Sequence, residues 1–496
     1  MKKILTATNH VSTTDFKPIS RTASKVQDFY NRNAARVDNS HHRNSGYYSE
    51  LEKTLRSIVL PGQKVLDLGC GNGDLLAALD VSEGVGIDLS EEMIKIACRK
   101  HNHPGISFLV GDVEDSRIYS YLQRQFDVII LRNVITEIHD VQAVFEALKE
   151  VCHTRTRLIV FSYSRVWQIP LQIAEQLGIK VRNPVNNWLS SDMVGEMLHL
   201  AGFEIIRSIH HQIFPLNMGC LTSLINQYIG NLPIINQYAL MFGIIARPLR
   251  SRHFPSGDPM ISVVIPCRNE SGHIESLANR LPDLGPEMEV IWVEGNSTDD
   301  TTATIKEVIA RHPEKKWRFL KQPGKGKGDA VRFAFTHARG DILMILDADI
   351  TVPPEDLPKF VNLLKNGRAE FVNGCRFVYP MDEKSMRFLN LLGNRFFAAL
   401  FSFLLGQKVR DTLCGTKALW HDDYRRISQN RSYFGDFDPF GDFELLFGAS
   451  RLNLKIVDLP IRYGERTYGT TNISRFSDGA LLLKMCAYAA RKLKFI

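Results

Sequence analysis

Two aspartates follow a run of apolar residues in the segment DILMILDADI (341–350). Residues 342–346 have the composition of a buried strand, and Asp347 and Asp349 stand at its end. Because unpaired buried carboxylates are costly, something must compensate their charge. Alternate residues of an extended chain point to the same side, and hard divalent cations prefer carboxylate oxygens. The pair therefore predicts a site for Mg²⁺ or Mn²⁺.

A glycine- and lysine-rich loop precedes this segment. KQPGKGKGDAVRFAFTHARGD (321–341) carries Lys325 and Lys327 just before a helical pattern, where their ammonium groups can meet phosphate. Upstream, MISVVIPCRNE (260–270) and VIWVEGNSTDDTTATI (290–305) each begin as a strand. Successive strand–helix units predict a mainly parallel sheet whose strand ends converge on a ligand crevice. A nucleotide sugar, whose diphosphate needs a metal, accounts for the aspartates and the lysines together.

This half of the chain, over about 258–475, resembles the family 2 inverting glycosyltransferases with the glycosyltransferase A (GT-A) fold. Within that family it is similar to the dolichyl- and polyprenyl-phosphate sugar transferases. The matching segments are VVIPCRNE, EGNSTDDT, GKGKGDA, LDADI, NGCRF, VRDTLCGTKAL, FGDFELLFGASR and IRYGERTYGTTNIS. The resemblance implies metal-dependent, inverting transfer of a sugar from a nucleotide sugar to a polyprenyl or dolichyl phosphate.

The resemblance also implies roles for residues at matching positions. The nucleotide sugar would contact Pro266, Asn269, Glu270, Glu294, Lys327, Asp347, Arg376 and Asp411. The metal would be held by Asp347 and Asp349, and catalysis would involve Asp349, Asp442, Glu444 and Arg466. Three positions depart from the family pattern. Glu294 stands where Asp is usual, Asn472 where Lys is common, and Thr351 where a residue can complete the metal shell.

Two kinds of sugar acceptor remain open. A lipid phosphate is already ionised at neutral pH and needs no general base. A hydroxyl of a growing glycan or a small metabolite would need one, and Asp442 is the best candidate. The segment 385–407, where the lipid-phosphate transferases place interface helices, carries Arg387, Asn390 and Asn394 on one helical face.

A second glycine-rich turn lies near the other end of the chain. In KVLDLGCGNGDLLAAL (64–79) an apolar strand runs into Gly69, Gly71 and Gly73, and a helical pattern follows. Glycines there let the backbone approach a ligand closely and adopt conformations that side chains forbid. A second strand ends at Asp88, where a carboxylate can bind both hydroxyls of a ribose. Further strand patterns follow at 106–115, 126–138 and 157–164.

This part, over about 25–212, resembles the class I S-adenosylmethionine (SAM)-dependent methyltransferases, which have a Rossmann-like fold. The resemblance implies that the cofactor SAM contacts Asp67, Gly69, Gly71, Gly73, Asp88, Asp112 and Val113. NWLSSDMVGEMLHLAGFEII (187–206) is similar to the family's final helix and strand. His139 is the only obvious general base after the fourth strand, and it is either catalytic or structural. The domain is either an active methyltransferase or a binding module that positions the transferase.

The length of 496 residues predicts two domains. IARPLRSRHFPSGDP (245–259) has the composition of a linker, so we expect an α/β methyltransferase domain over 1–250 and an α/β glycosyltransferase domain over 258–496. Three apolar segments stand out. Residues 212–246 contain no Asp, Glu, Lys or Arg, residues 396–405 are strongly apolar, and the tail 479–496 is apolar and then basic. Each either packs in a core or lies at a membrane interface.

Composition limits the partners and the compartment. The net charge of +7 fits an acidic small molecule, a phosphate or an anionic membrane, and no basic stripe interleaved with aromatics indicates nucleic-acid binding. The eight cysteines include no CxxC pair, which is typical of reduced thiols in the cytoplasm. No apolar run reaches the roughly 20 residues of a membrane-spanning helix. We therefore predict a cytoplasmic enzyme located peripherally on the cytoplasmic face of a membrane.

Overall fold

The computed structural model describes residues 17–178, 180–213, 220–249, 257–285, 287–379, 388–431, 441–464, 468 and 475–495. The chain forms two compact units, Met1–Leu249 with Phe495–Ile496, and Arg250–Lys494. Among the described helices, none is long and apolar enough to cross a membrane.

The first unit contains a seven-stranded sheet. Its strands are β1 (Gln63–Leu68), β2 (Val81–Asp88), β3 (Ile106–Val110), β4 (Phe126–Arg132), β5 (Cys152–Tyr163), β6 (Phe203–His211) and β7 (Met241–Pro248). Their order is β3-β2-β1-β4-β5-β7-β6. The first five strands run parallel, and β7 is antiparallel to both β5 and β6. The order reverses between β1 and β4, and ligands of doubly wound sheets bind at such a switch point.

Helices cover this sheet. They are α1 (Arg21–Arg43), α2 (Ser45–Ile58), α3 (Asp74–Ala77), α4 (Glu91–Lys100), α5 (Arg117–Leu122), α6 (Val141–Ala147), α7 (Gln168–Gln176), α8 (Ser191–Leu200) and α9 (Cys220–Leu224). Apolar side chains of the strands fill two cores, one on each face of the sheet. The parallel strands are apolar along nearly their whole length because helices cover both faces.

Several strand boundaries differ from the sequence expectation. The third strand ends at Val110, so Asp112 lies in the following loop, and the fourth ends at Arg132, with a 3₁₀ turn over Val134–Thr136. The fifth strand begins at Cys152, because its first residues already pair with β4. The charge-free segment 212–246 contributes most of β7, a fully buried strand between β5 and β6. Its second part is therefore sheet core.

The second unit contains another seven-stranded sheet. Its strands are β8 (Ile261–Cys267), β9 (Met288–Glu294), β10 (Lys316–Lys321), β11 (Ile342–Ile345), β12 (Phe371–Cys375), β13 (Lys417–Trp420) and β14 (Ile456–Pro460). Their order is β10-β9-β8-β11-β13-β12-β14. Parallel pairing joins β10, β9, β8 and β11, whereas β13 is antiparallel to β11 and β12. The carboxyl ends of β8, β9 and β11 thus meet at one edge of the sheet.

The helices of this unit are α10 (Ser271–Arg280), α11 (Thr301–Arg311), α12 (Lys327–His337), α13 (Leu357–Lys365), α14 (Phe388–Leu405), α15 (His421–Gln429), α16 (Asp442–Arg451) and α17 (Arg475–Ala489). Two of the apolar segments form α14 and α17, and both contribute to the core. Phe401 of α14 stacks on Phe447 of α16 with ring centroids 5.0 Å apart, and Met485 of α17 is buried. On α14, Phe396 is nevertheless exposed.

Candidate active sites

The glycine turn after β1 has the geometry that its sequence predicts. Gly69, Gly71 and Gly73 have φ of 72°, 58° and 76°, a region that disfavours side chains. A Cβ on Gly69 would come within 2.9 Å of Val134, and one on Gly73 within 2.6 Å of the Phe108 ring. The turn therefore requires glycine both for backbone conformation and for space.

Two of the expected cofactor-binding carboxylates organise the loops beside this turn. Asp88 accepts hydrogen bonds from the backbone N–H groups of Gly71 and Ser90, each at 2.9 Å. Asp112 accepts from the backbone N–H of Ile19 and of Glu114, each at 3.0 Å. Burial raises the pKa of both carboxyls. Each carboxylate oxygen has further lone pairs with which it can accept hydroxyl or amino protons.

Asp67 is the exceptional carboxylate of this site. Its side chain is 1% exposed, and neither oxygen has a hydrogen-bond partner among the described residues. Burial raises the pKa of Asp67 to about 6, and the positive charge of Arg132 opposes that rise. A buried carboxylate without a hydrogen-bond partner would be stabilised by a positively charged hydrogen-bond donor, such as the amino group of SAM.

A cavity of about 480 Å³ lies in front of the glycine turn. Five of the expected cofactor residues line it, namely Gly69, Gly71, Asp88, Asp112 and Val113. Asp67 and Gly73 are not among the described lining residues. The remaining wall includes residues to which the sequence analysis gave no role: Tyr30, His41, Tyr47, Tyr48, Arg132, Glu137, Tyr163 and Trp167. The cavity therefore extends beyond the expected cofactor contacts, as a second substrate requires.

Glu137 is the acid–base candidate that the sequence analysis missed. The Tyr30 hydroxyl donates a 2.9 Å hydrogen bond to its carboxylate. Burial raises the pKa of Glu137 to about 8, Tyr30 opposes that rise, and the charge of Asp88 adds to it. His139, the base candidate from the sequence, is exposed and is not among the described residues that line the cavity. Glu137 and His139 are two positions apart in the sequence, but of the two only Glu137 lines the cavity.

A cation also lines the cavity. The Arg132 guanidinium lies over the Tyr48 ring, 5.5 Å from its centroid. Within the described part of the chain, Arg132 makes no ion pair with a carboxylate. Burial and, to a smaller extent, the charge of Arg132 lower the pKa of His41 to about 3, which favours the neutral imidazole. This wall therefore combines aromatic rings with one positive charge.

In the second unit, the expected nucleotide-binding residues follow β8 and β9. Pro266 lies near the end of β8, and Asn269, in a left-handed conformation with φ of 56°, accepts a hydrogen bond of 2.8 Å from the backbone N–H of Thr298. Glu294 ends β9, is buried, and accepts from the backbone N–H of Ser297 at 2.5 Å. Glu270 is 2.9 Å from the His273 ring. The Asn269–Thr298 hydrogen bond joins the loops that follow β8 and β9.

As the sequence indicates, Asp347 and Asp349 follow the end of a buried strand, but the chain around them forms a turn and is not extended. The β11 strand ends at Ile345, where its pairing with β8 and β13 stops, and both aspartates lie beyond it. Asp347 forms an ion pair of 2.5 Å with Lys327, the first residue of α12. Asp349 accepts from the Thr351 hydroxyl at 2.7 Å. In the described structure, the charge that compensates Asp347 is therefore the Lys327 ammonium.

The electrostatics of this pair favour the ionised forms. Burial disfavours the Lys327 ammonium, but the charges of Asp347 and Asp442 outweigh it and raise the pKa of Lys327. Burial likewise opposes ionisation of Asp347, but Lys327 outweighs it and lowers the pKa of that carboxyl. Lys325, the other lysine of the loop, is exposed.

The donor set at this turn fits a divalent ion that is shared with a substrate. Asp347 and Asp349 offer hard carboxylate oxygens. Among the described residues, no group of three or more His, Cys, Asp or Glu side chains is arranged to hold a metal. Mg²⁺ commonly uses one or two carboxylates together with substrate phosphates, so a two-carboxylate site next to the glycine- and lysine-rich loop is sufficient. The Thr351 hydroxyl orients Asp349.

The acidic residues expected on the sugar and acceptor side are all paired with cations. Lys417 is fully buried and lies 3.1 Å from Asp442. Glu444 pairs with Arg332 at 3.2 Å and with Arg431 at 3.4 Å. Lys417 belongs to the matching segment VRDTLCGTKAL, but no role was assigned to it from the sequence.

Arg376 and Asp411 form a buried, two-point ion pair. The guanidinium donates to both carboxylate oxygens, at 2.7 and 2.8 Å. The same guanidinium lies 5.0 Å from the centroid of the Tyr463 ring. Asp411 therefore orients Arg376. Arg466 and Asn472 lie outside the described residues.

Comparison with known proteins identifies both units. The profile of Glycosyl transferase family 2 matches residues 262–427, and a Methyltransferase domain profile matches residues 60–202. The Dolichol-phosphate mannosyltransferase of Pyrococcus furiosus is 35% identical over 43% of this chain and 59% of its own length. The Dolichyl-phosphate hexose transferase of Haloferax volcanii is 32% identical over 45% of this chain and 91% of its own length.

A solved structure, glucosyl-3-phosphoglycerate synthase from Mycobacterium tuberculosis, is 23% identical to this chain. The alignment covers 50% of this chain and 88% of that one, with a TM-score of 0.36. The two profile matches and the curated relatives confirm the two families expected from the sequence, with the methyltransferase domain first and the family 2 glycosyltransferase domain second. Through its second unit the chain belongs to glycosyltransferase family 2, and it is a fusion of that domain with an N-terminal methyltransferase domain.

Proposed function

We propose that this chain is a bifunctional enzyme that transfers a sugar from a nucleotide sugar to a polyprenyl or dolichyl phosphate and also transfers a methyl group from SAM. The observation that carries the sugar transfer is the Lys327–Asp347 ion pair at the carboxyl end of β11. It places a cation and a carboxylate beside the loops that follow β8 and β9. A metal-bound diphosphate needs both kinds of group.

The residues of the second unit have separable tasks in the sugar transfer. Asn269 and Glu294, held in their loops by backbone hydrogen bonds, are positioned for the nucleoside. Lys327, at the N-terminus of α12, is positioned for the diphosphate, which the positive end of a helix also favours. Held by Asp347 and Asp349, Mg²⁺ or Mn²⁺ would stabilise the charge that develops on the leaving diphosphate.

An acceptor phosphate fits the charges better than a hydroxyl does. An ionised phosphate oxygen attacks the anomeric carbon opposite the leaving nucleotide, which inverts the configuration without a general base. Asp442, the candidate base for a hydroxyl acceptor, is already engaged by the buried Lys417. The names of the two curated relatives include dolichol and dolichyl phosphate, which supports the same acceptor class.

The methyl transfer is supported by the cavity of the first unit. Asp88 is positioned for the ribose of SAM and Asp112 and Val113 for its adenine, since all three line the cavity. When bound, SAM would supply an activated methyl group for transfer to a hydroxyl of the acceptor. The Glu137 carboxylate, aligned by Tyr30, takes the proton of that hydroxyl.

We place both reactions in a reducing compartment, at the cytoplasmic face of a membrane. The described cysteines, Cys70, Cys98, Cys152, Cys267, Cys375, Cys414 and Cys486, are all free thiols. Free and mostly buried thiols are typical of proteins in reducing compartments. A polyprenyl phosphate acceptor would in addition require that the second unit works next to a lipid surface.

The test of the sugar transfer is an incubation of the purified chain with a panel of radiolabelled nucleotide sugars. A short-chain polyprenyl phosphate is added or withheld, and the label in the organic phase is counted. We expect label in that phase only when the prenyl phosphate is present. Equal transfer to water-soluble glycans without it would establish the alternative acceptor. A titration with SAM tests the first unit separately, and no binding would leave it as a scaffold module.

A further inference from the structure

The helix α7 at the mouth of the methyltransferase cavity is apolar on two of its faces. Trp167, Pro170, Leu171 and Ala174 of this region line the cavity. On another face, Ile169 and Ile173 of α7 are exposed, as are Val166 just before the helix and Leu177 just after it, and Ile169 is 69% exposed. A helix that buries one apolar face normally presents polar residues elsewhere. The exposed face therefore requires a partner that is not water.

A second exposed apolar segment adjoins this helix. The Trp167 indole N–H donates a hydrogen bond of 2.8 Å to the backbone carbonyl of Tyr238. From α9 to Tyr238 the exposed large side chains are Leu221, Leu224, Tyr228, Ile229, Leu232, Ile234 and Tyr238. Together with Val166, Ile169, Ile173 and Leu177 they form what we call the apolar surface. Its eleven members exceed the isolated exposed leucines and isoleucines of an ordinary protein surface.

The charges around the apolar surface favour a lipid membrane as its partner. Residues 212–246 contain no Asp, Glu, Lys or Arg, so this part offers no charged group to pair with a protein partner. Between 165 and 182 the only acidic residue is Glu175, which pairs with Lys180 at 2.5 Å and whose side chain is 8% exposed. Arg165, three residues before α7, and Arg182, six residues after it, are exposed cations. Exposed cations that flank an apolar helix face match the anionic headgroups of a membrane.

We propose that the apolar surface lies in the interface of a lipid membrane and that the methyltransferase cavity behind α7 takes an acceptor carried by a lipid. The acceptor half of this inference rests on the proposed methyl transfer. Since α7 contributes both to the cavity wall and to the apolar surface, the cavity opens beside the membrane. The reacting group is then a hydroxyl of a lipid headgroup, whose proton passes to Glu137 as the methyl group is transferred.

Vesicle flotation tests the surface. The full chain is mixed with vesicles of phosphatidylcholine and phosphatidylglycerol, alongside the double variant Ile169→Glu/Ile173→Glu. The matched control is Leu200→Glu. Leu200 lies on α8, outside the apolar surface, and its exposed fraction of 68% is close to the 69% of Ile169. We expect the parent and the control to float. The affinity of the double variant for vesicles should fall about tenfold or more, since the burial of each apolar side chain in lipid stabilises the bound state. Unchanged SAM affinity shows that the variants are folded.

Several outcomes would overturn the surface assignment. One is a parent chain that stays with the aqueous fraction, and another is a double variant that floats as well as the parent. Self-association of the parent that the double variant abolishes, without vesicle binding, would assign the surface to a second copy of the chain instead.

The acceptor is tested with methyl-labelled SAM and a total lipid extract, with counts taken in the organic and aqueous phases. Label in the organic phase supports a lipid-borne acceptor, and label confined to the aqueous phase overturns it. Label in neither phase contradicts the proposed methyl transfer, while the flotation result still decides the surface.

Discussion

Lys327 and Asp347 form their ion pair directly against Gly415, and only a glycine leaves space for it. A Cβ on Gly415 would overlap both the Lys327 amine and the Asp347 carboxylate. Gly415 belongs to the segment LCGTK, whose last residue, Lys417, begins β13. The conformation of that segment and the position of the two charged groups are thus linked.

The first prediction concerns this contact. Gly415→Ala should displace Lys327 or Asp347 and lower sugar transfer by about 100-fold, the scale of an ångström-level misplacement of reacting groups. The measurement is the rate of sugar transfer to the short-chain prenyl phosphate. The matched control is Gly393→Ala, where a Cβ would have no neighbour within 4 Å. Full activity of Gly415→Ala would show that the ion pair has no part in catalysis.

The second prediction concerns the metal. Asp349→Asn keeps the side-chain shape and removes one negative charge, so a divalent ion binds more weakly and sugar transfer should fall by orders of magnitude. Chelation with EDTA should silence the parent enzyme, and Mg²⁺ or Mn²⁺ should restore it. Asp422→Asn, a change at an exposed surface ion pair, should be silent in the same assay. A parent chain that transfers sugar at full rate in excess chelator would rule out the metal requirement.

The third prediction concerns the stability of the first unit as a function of pH. Burial raises the pKa of Asp67 to about 6 from an ordinary value of 3.8. The folded state therefore binds the proton more tightly than the unfolded state, so ionisation of Asp67 costs no stability below about pH 4 and its full cost above about pH 6. Asp67→Asn should stabilise the unit at neutral pH by about 2–3 kcal/mol and progressively less toward pH 4.

The measurement is the melting temperature of the first unit across this pH range. Its transition is identified as the one that SAM shifts. The exposed Asp80→Asn should not change it. If Asp67 receives the amino group of SAM, the same Asp67→Asn variant also binds SAM more weakly. A pH-independent stability difference would contradict the assigned pKa.

The fourth prediction concerns the base of the methyl transfer. With a pKa of about 8, Glu137 is mostly protonated at neutral pH, so the rate should rise with pH and level off above about pH 8. Glu137→Gln should lower the methyl transfer by about 10²–10⁴-fold, the usual contribution of a general base, and leave SAM affinity unchanged. The groups that influence Glu137 are Tyr30, Asp88 and Lys180.

Two further variants make this prediction specific. The Tyr30 hydrogen bond lowers the pKa of Glu137, so Tyr30→Phe should move the rise in rate to higher pH. His139→Gln should leave the profile unchanged because His139 is exposed. If the Glu137→Gln variant has the same pH dependence of methyl transfer as the parent, Glu137 is not the base and another group must take the proton.

The fifth prediction concerns the domain boundary. We expect the two units to fold independently when the chain is cut between residues 250 and 258, because each has its own sheet and hydrophobic core. The measurement is the melting transition of each purified fragment. If both fragments are insoluble while the parent chain is soluble, the domain boundary does not lie between residues 250 and 258.

The sequence predicted those parts of the structure that depend on local chemistry. The glycines after β1 and the carboxylate at the end of β2 stand where their types require a turn and a strand end. The β7 strand was not foreseen, because a continuous apolar run without alternation fits a buried strand, a buried helix or an interface segment equally well. Its identity is decided by pairing with β5 and β6, which are distant in sequence.

The candidate sites were predictable to a different extent. The Asp347 and Asp349 motif and Lys327 were found, but the Lys327–Asp347 ion pair was not, because the turn beyond β11 depends on where the neighbouring strands stop pairing. Tyr30 lies 107 residues before Glu137, and nothing in either local segment indicates their hydrogen bond. A glutamate two residues before a histidine is an inconspicuous signal, and only the folded loop distinguishes which of them faces the cavity.

The chain leaves the sheet after β6 and returns to it at β7, and the contact between these two points has a consequence for engineering. The backbone N–H of Leu240 donates to the carbonyl of Gln212 at 2.6 Å, so the intervening residues leave and rejoin the sheet at one point. Closing a longer loop costs little, about 0.6 kcal/mol for each doubling of its length. The described residues of this excursion, 213 and 220–239, are therefore expected to form a cassette that can be replaced. A short turn in their place should preserve the sheet, and transplanting the cassette into a related hairpin should carry its surface properties with it.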